Sequence, residues 1–333
     1  MIIGVHGLGN KPPERLLTNW WEKAIADGLK LIGETNLSFK FDMVYWADLL
    51  YQKPLDPDEK DQNHPLYLEE IYTTPLKIHS NKVSDFKTKI ADYIERKLDK
   101  VFLNSDLSLN FSSITDKIIH HYFKDLDAYY SKMCARNEHP CRLIKDVLRE
   151  RLLLKLKEHQ KKDILLIAHS MGSIIAYDVL VQADLQIKID DFITIGSPLG
   201  LPVIINKIFA EQRKKISGFE KLRTPESIKK HWYNFSDVDD KIALDHTLSD
   251  DFQPNSLNIR AIDQFVYNDY ELQGEKNPHK AFGYLRTPEL AKVVHLFLKH
   301  EKKPTVFKQV INSVSRWFQK QKRFFYDERG CSD

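Results

Sequence analysis

Long apolar runs are missing from this sequence: no stretch approaches the roughly eighteen uninterrupted apolar residues of a membrane-spanning helix. The opening Met1-Ile2-Ile3-Gly4-Val5-His6 has no basic n-region and reaches glycine and histidine early, which suits neither a signal peptide nor an anchor. Cysteine is scarce. Cys134, Cys141 and Cys331 form no C-x-x-C pair and fall far below the density of a disulfide-stapled secreted domain, so a reducing, cytoplasmic location is expected. Only 12 Gly and 14 Pro occur in 333 residues, too few for a collagen-like or low-complexity chain. Charge of one sign is lacking as well: 50 Lys and Arg against 47 Asp and Glu leave +3, which excludes a whole-molecule electrostatic binder of nucleic acid. What is present is an ordinary globular composition, 42% hydrophobic and 29% charged, long enough for one large α/β domain carrying a substantial insertion.

Along the chain, apolar Met1 to Val5 reads as a buried strand feeding the turn at Gly7-Leu8-Gly9, and Leu16, Leu17, Trp20, Trp21, Ile25 and Leu29 recur at helical spacing until Gly33. A second strand is expected at about Leu37 to Ala47. From Tyr51 the rhythm breaks. A Pro/Asp-rich loop precedes two helical patterns, Val83 to Val101 and Ile114 to Tyr129, with no strand between them, so residues 51–141 read as an inserted helical subdomain. A charged helix through Val147 and Leu156 then leads to Ile164-Leu165-Leu166-Ile167, the clearest buried strand, with a helix directly after it. Strands at Phe192 to Ile195, Trp232 to Phe235 and Ile259 to Tyr267, and helices through Val203 to Ile208 and Glu289 to Leu298, continue the alternation. That order predicts a mainly parallel sheet with helices on both faces.

The chemistry concentrates at Ala168-His169-Ser170-Met171-Gly172, a turn between a buried strand and a helix. Such a turn lifts a serine above the end of the sheet, and the small residues two positions to each side let neighbouring backbone approach. This is the G-x-S-x-G nucleophile elbow with Ala168 in the first glycine position. On these residues the chain resembles the α/β-hydrolase superfamily, in its lipase and esterase-like branch. The resemblance implies Ser170 as nucleophile, and an oxyanion hole built from the Leu8 N–H in the turn His6-Gly7-Leu8-Gly9 and from the Met171 N–H. It also implies an acid and then a histidine after later strands. Asp240 is the chosen acid in Ser236-Asp237-Val238-Asp239-Asp240-Lys241-Ile242-Ala243, with Asp237 its competitor, and His279 is the general base. His169 is read as a packing residue pointing away from the nucleophile, and His6 as a turn stabiliser.

Other readings of these motifs are weaker. A dinucleotide fingerprint starting at Gly7 needs a third glycine where Pro12 stands, and His120-His121, on a helical pattern beside tyrosines, reads as a partly exposed helix face, so no cofactor and no metal are expected. The C-terminal stretch places Val306, Phe307, Val310, Trp317 and Phe325 near one helical face among Lys302, Lys308, Arg316 and Lys322. It reads first as a terminal helix packed on the domain. Residues 302–325 also offer a peripheral contact with an anionic membrane. The expected organisation is therefore an α/β-hydrolase core at 1–50 and 142–301, a helical cap at 51–141 covering the site and shaping an apolar acyl pocket, and a basic amphipathic tail at 302–333. The expected function is hydrolysis of carboxylic esters, lipid esters among them, through an acyl-enzyme on Ser170, with thioesters and amides open. The alternatives are a non-catalytic binding protein of the same fold, or a peripheral membrane interaction module.

Overall fold

Six parallel strands form the central sheet: β1 (Ile2–Val5), β2 (Phe41–Val44), β3 (Leu165–His169), β4 (Ile189–Ile195), β5 (Ile228–Ser236) and β6 (Ala261–Phe265), in the order β2-β1-β3-β4-β5-β6. The computed structural model describes residues 1–75, 129–130, 134, 141–182, 187–215, 219–243 and 245–299. The chain divides into two compact units, Met1–His295 and Leu296–Asp333. The helical patterns expected within 83–129 and the amphipathic stretch at 302–325 lie outside the described residues, Tyr129 excepted.

β1 and β3 are buried along their whole length because each has a parallel neighbour on both sides and side chains packed on both faces. Connecting helices are α1 (Glu14–Leu31), α2 (Ile144–Glu158), α3 (Met171–Leu180) and α4 (Pro202–Lys215). α3 is buried at every position; its apolar residues fall on several sides, and its buried Asp178 is held by Tyr129 and Arg149. The α/β architecture with a parallel sheet is the one the strand and helix alternation predicts.

Three departures have local causes. The second strand is shorter than its alternating pattern because the Trp46 N–H donates to His6 Nε2 at 3.0 Å and leaves the ladder, and a 3-10 turn follows at Ala47–Leu49. A small hairpin, β7 (Glu271–Leu272) and β8 (Glu275–Lys276), sits in what reads as loop, turned by Gln273 and Gly274 at φ 53° and 86°. A five-residue helix α5 (Ala281–Leu285) follows His279 and is too short to register as a period; α6 (Pro288–Lys299) comes next. Cys134 and Cys141 are joined in a disulfide with Cα atoms 5.3 Å apart, which differs from the unpaired cysteines behind the expectation of a reducing compartment. Near that bridge, Tyr129 belongs to the core and its hydroxyl donates to the buried Asp178 on α3 at 2.5 Å.

The sheet order positions the site. After β1 the chain crosses to β2 on one side, and β3 then enters on the other side of β1, so the connections diverge at the carboxyl ends of β1 and β3. In open parallel sheets the crevice at such a switch point is where ligands bind. His6 to Leu8 leave β1 there and Ser170 leaves β3 there.

Candidate active site

Ser170 sits between β3 and α3 with φ at 54° and ψ at −127°, a conformation that a side-chain-bearing residue adopts at a cost of about 1–3 kcal/mol. The sharp reversal that this backbone makes depends on crowding next to it. A Cβ on Gly172 would lie 2.5 Å from the Val5 carbonyl oxygen, and one on Gly7 would lie 2.8 Å from the Ser170 Cβ. Both glycines are therefore demanded by the close approach of the β1 turn to the serine turn. The Ser173 hydroxyl donates to the Ser170 carbonyl oxygen at 2.5 Å and contacts the Ser197 Oγ at 2.8 Å, which ties the start of α3 to the turn after β4.

His279 approaches from the loop after the β7–β8 hairpin. Its Nε2 is 3.0 Å from Ser170 Oγ, and its Nδ1 is 2.9 Å from each carboxylate oxygen of Asp240. With a carboxylate as partner, Nδ1 carries the proton and Nε2 is left to accept the serine hydroxyl proton. Asp240 is fully enclosed. Its burial alone would raise its pKa, but the facing His279 and the hydrogen bonds from His279, Tyr284 and the Ile242 N–H outweigh this and hold it below the usual carboxylate value. The structure thus brings together Ser170, His279 and Asp240 in one hydrogen-bonded line.

Asp237, the competing acid, does different work. It accepts the Asp239 N–H at 2.8 Å and the Asn268 N–H at 2.6 Å, and so shapes the turn in which Asp240 stands. Burial pushes its pKa up to about 7, against the pull of those two N–H groups.

Several contributors carry no motif in the sequence. Tyr284, on α5, donates its hydroxyl to Asp240 Oδ2 at 2.7 Å and accepts the Asp237 N–H at 2.9 Å, so one phenol fixes both carboxylate-bearing residues. Its only sequence signal is a tyrosine five positions after a candidate histidine. His169 departs from its expected role: it does not point away from the nucleophile but lines the same cavity, its ring 4.8 Å from that of His279. Because a carbonyl only accepts, the 2.7 Å contact is a donation from His169 Nε2–H to the His279 carbonyl oxygen.

His6 holds the turn that carries Leu8. Its Nε2 accepts the Trp46 N–H at 3.0 Å, so Nδ1 bears the proton and donates to the Gly7 carbonyl oxygen at 2.8 Å. The Trp46 ring stacks on it at 4.7 Å, and the Trp46 indole N–H donates to the His6 carbonyl oxygen. In a trans peptide, C=O and N–H point in opposite directions. Turning the Gly7 carbonyl toward the His6 ring therefore turns the Leu8 N–H the other way. His6, Gly7, Leu8 and Ser170 all line one cavity of about 610 Å³. His6→Phe is expected to keep the stack on Trp46 but to lose both the Gly7 contact and the acceptor of the buried Trp46 N–H, which should destabilise the fold by about 1–3 kcal/mol in urea denaturation and leave the Leu8 N–H less firmly oriented.

Burial holds the pKa values of His6 and His169 well below the ordinary imidazole value of 6.5, whereas it raises that of Asp237 from 3.8 to about 7. The signs oppose each other. Between pH 5 and 6 the two histidines bind protons only when unfolded, which destabilises the fold as pH falls, while Asp237 binds one only when folded, which stabilises it. Burial also raises the carboxyl pKa values of Asp263 and Glu289, which act in the same direction as Asp237, so the two histidines carry the loss of stability on acidification and the buried carboxyls oppose it. Asp237→Asn should remove one opposing contribution and steepen the loss of stability on acidification, as read from urea denaturation at pH 5, 5.5 and 6.

Among the described residues, Asp42, Glu158 and His159 are grouped closely enough to suggest a metal site. Lys155 bridges Asp42 at 3.0 Å and approaches Glu158 at 3.8 Å, so a cation already occupies the position an ion would take. No described helix is long and apolar enough to cross a membrane.

Residues 90–238 match the family described as PGAP1-like alpha/beta domain, which falls within the α/β-hydrolase superfamily. The matched span contains Ser170 and Asp237, ends two positions before Asp240, and leaves out the β1 turn and His279. Comparison with curated proteins found no match.

Proposed function

We propose that this chain is a serine hydrolase that cleaves carboxylic esters, lipid esters among them, through an acyl-enzyme on Ser170. The observation that carries the reading is the line of hydrogen bonds from Ser170 Oγ through His279 to Asp240, at 3.0 and 2.9 Å, at the switch point of a parallel sheet. In this scheme His279 Nε2 takes the serine proton as Oγ attacks the ester carbonyl. Asp240 keeps Nδ1 protonated and stabilises the imidazolium that forms. The N–H groups of Leu8 and Met171 donate to the developing oxyanion, each contributing about 3–4 kcal/mol to the transition state. The protonated His279 then hands its proton to the leaving alcohol, and a water activated by the same nitrogen releases the acid. None of these steps calls on a cofactor.

The match to a PGAP1-like alpha/beta domain supports hydrolase chemistry in general; the ester assignment rests on the serine geometry. The test is labelling with a fluorophosphonate probe and mass spectrometry of the modified peptide. Adduct on Ser170, absent from Ser170→Ala, is the expected result. A folded protein that takes no probe, or takes it elsewhere, would overturn the reading and favour a binding protein on the same scaffold.

A further inference from the structure

The cavity that contains Ser170 has two unlike sides. One wall is apolar and is built by α1, where Leu17, Trp20 and Trp21 fall at i, i+3 and i+4 and face the same way, joined by Phe282 from α5. Trp20 meets Phe282 edge-on at 6.0 Å between ring centroids, and Tyr72 backs Phe282 at 4.9 Å, so the wall is stiff. The polar side carries Lys11, Lys280, Glu69 and Glu70, two cations against two anions. Neither lysine is idle: Lys280 pairs with Glu70, and Lys11 Nζ donates to the Leu8 and Gly9 carbonyl oxygens. Among the described residues the cavity thus offers an apolar wall and a polar side on which two cations and two anions balance, with both lysines engaged by oxygen acceptors.

Resting on the serine-hydrolase reading, we infer that the cavity takes an uncharged ester, with its acyl chain laid along Leu17, Trp20 and Phe282, and that Trp20 and Leu17 set the chain length accepted. A volume of about 610 Å³, shared between acyl and alcohol parts, fits a small to medium ester. Leu55, Tyr67 and Leu68 of the inserted segment line the same cavity, so α1 supplies one apolar wall beside them. An anionic head group would meet Lys280 already held by Glu70, Lys11 already held by carbonyl oxygens, and the two glutamates of the same side, so its desolvation would oppose binding.

Two substitutions move the chain-length profile in opposite directions. Trp20→Ala deepens the wall, and Leu17→Phe fills it. With p-nitrophenyl butyrate, octanoate and dodecanoate as probes, each methylene that gains or loses contact changes kcat/KM by about fourfold. Trp20→Ala should raise the dodecanoate to butyrate ratio at least tenfold, and Leu17→Phe should lower it by a similar factor. Should Trp20→Ala fail to fold, Leu17→Phe still decides. A 1-acylglycerol should also be hydrolysed at least tenfold better than the same acyl chain on glycerol 3-phosphate. Equal losses on every ester in both variants, or preference for the phosphate-bearing ester, would overturn the inference while Ser170 still takes the fluorophosphonate probe. Absence of both hydrolysis and labelling would instead sink the hydrolase reading, and this inference with it.

Discussion

Alanine in place of Ser170 is expected to lower kcat for a p-nitrophenyl ester by about 10⁶-fold, the scale seen when a serine nucleophile is removed from a hydrolase. Among the described residues the hydroxyl has one side-chain partner, His279 Nε2 at 3.0 Å, and serine to alanine removes only that oxygen, so the nucleophile is lost without opening a large cavity. Serine and alanine both carry a Cβ, so the strain at φ 54° is the same in both proteins. Stability should therefore stay within about 1 kcal/mol of wild type in urea denaturation. Catalysis left in Ser170→Ala should be that of the oxyanion donors acting on bound ester and water. Activity within tenfold of wild type would mean that another residue performs the attack.

Asp240→Asn should lower kcat by about 10⁴-fold, since an amide that donates toward Nδ1 favours the wrong histidine tautomer. Nearby Asp237→Asn should keep activity within about tenfold. Its larger effect is on folding: an amide offers one acceptor where the carboxylate uses two oxygens, for the Asp239 and Asn268 N–H groups. One buried N–H then loses its partner, at a cost of about 1–3 kcal/mol. At pH 8 part of that cost is offset, because the wild-type carboxylate, with a pKa of about 7, is ionised there at the expense of its burial. Kinetics and denaturation on the two variants separate the roles; the reverse pattern would exchange the acid.

The two carboxylates also explain why neighbouring groups with the same chemistry diverge. Asp240 faces an imidazole and a phenol, and is held ionised. Asp237 accepts backbone N–H groups and faces the charges of Asp239 and Asp240, and its burial dominates. Tyr284 touches both residues, so its position couples the acid to the turn that presents it.

The sequence by itself determined the parallel α/β sheet, through apolar runs such as Leu165 to Ile167 that only a strand buried on both faces tolerates, and it marked Ser170 through a strand, a turn and a helix in immediate succession. Those signals are local: they concern hydrophobic period and turn chemistry within a few residues. It also put Asp240 and His279 after later strands, but left Asp237 as a rival, because a strand end is uncertain by a few residues and the two acids stand three apart. Only the tertiary structure decided which carboxylate meets the imidazole, since that depends on where β5 stops and how Asp237 folds the following turn. It alone turned His169 toward His279, set His6 against Trp46 forty positions away, and placed the apolar wall of the cavity on α1. Each of these joins residues far apart in the chain whose side chains meet because a parallel sheet gathers the carboxyl ends of all its strands on one edge, a geometry that no local pattern encodes.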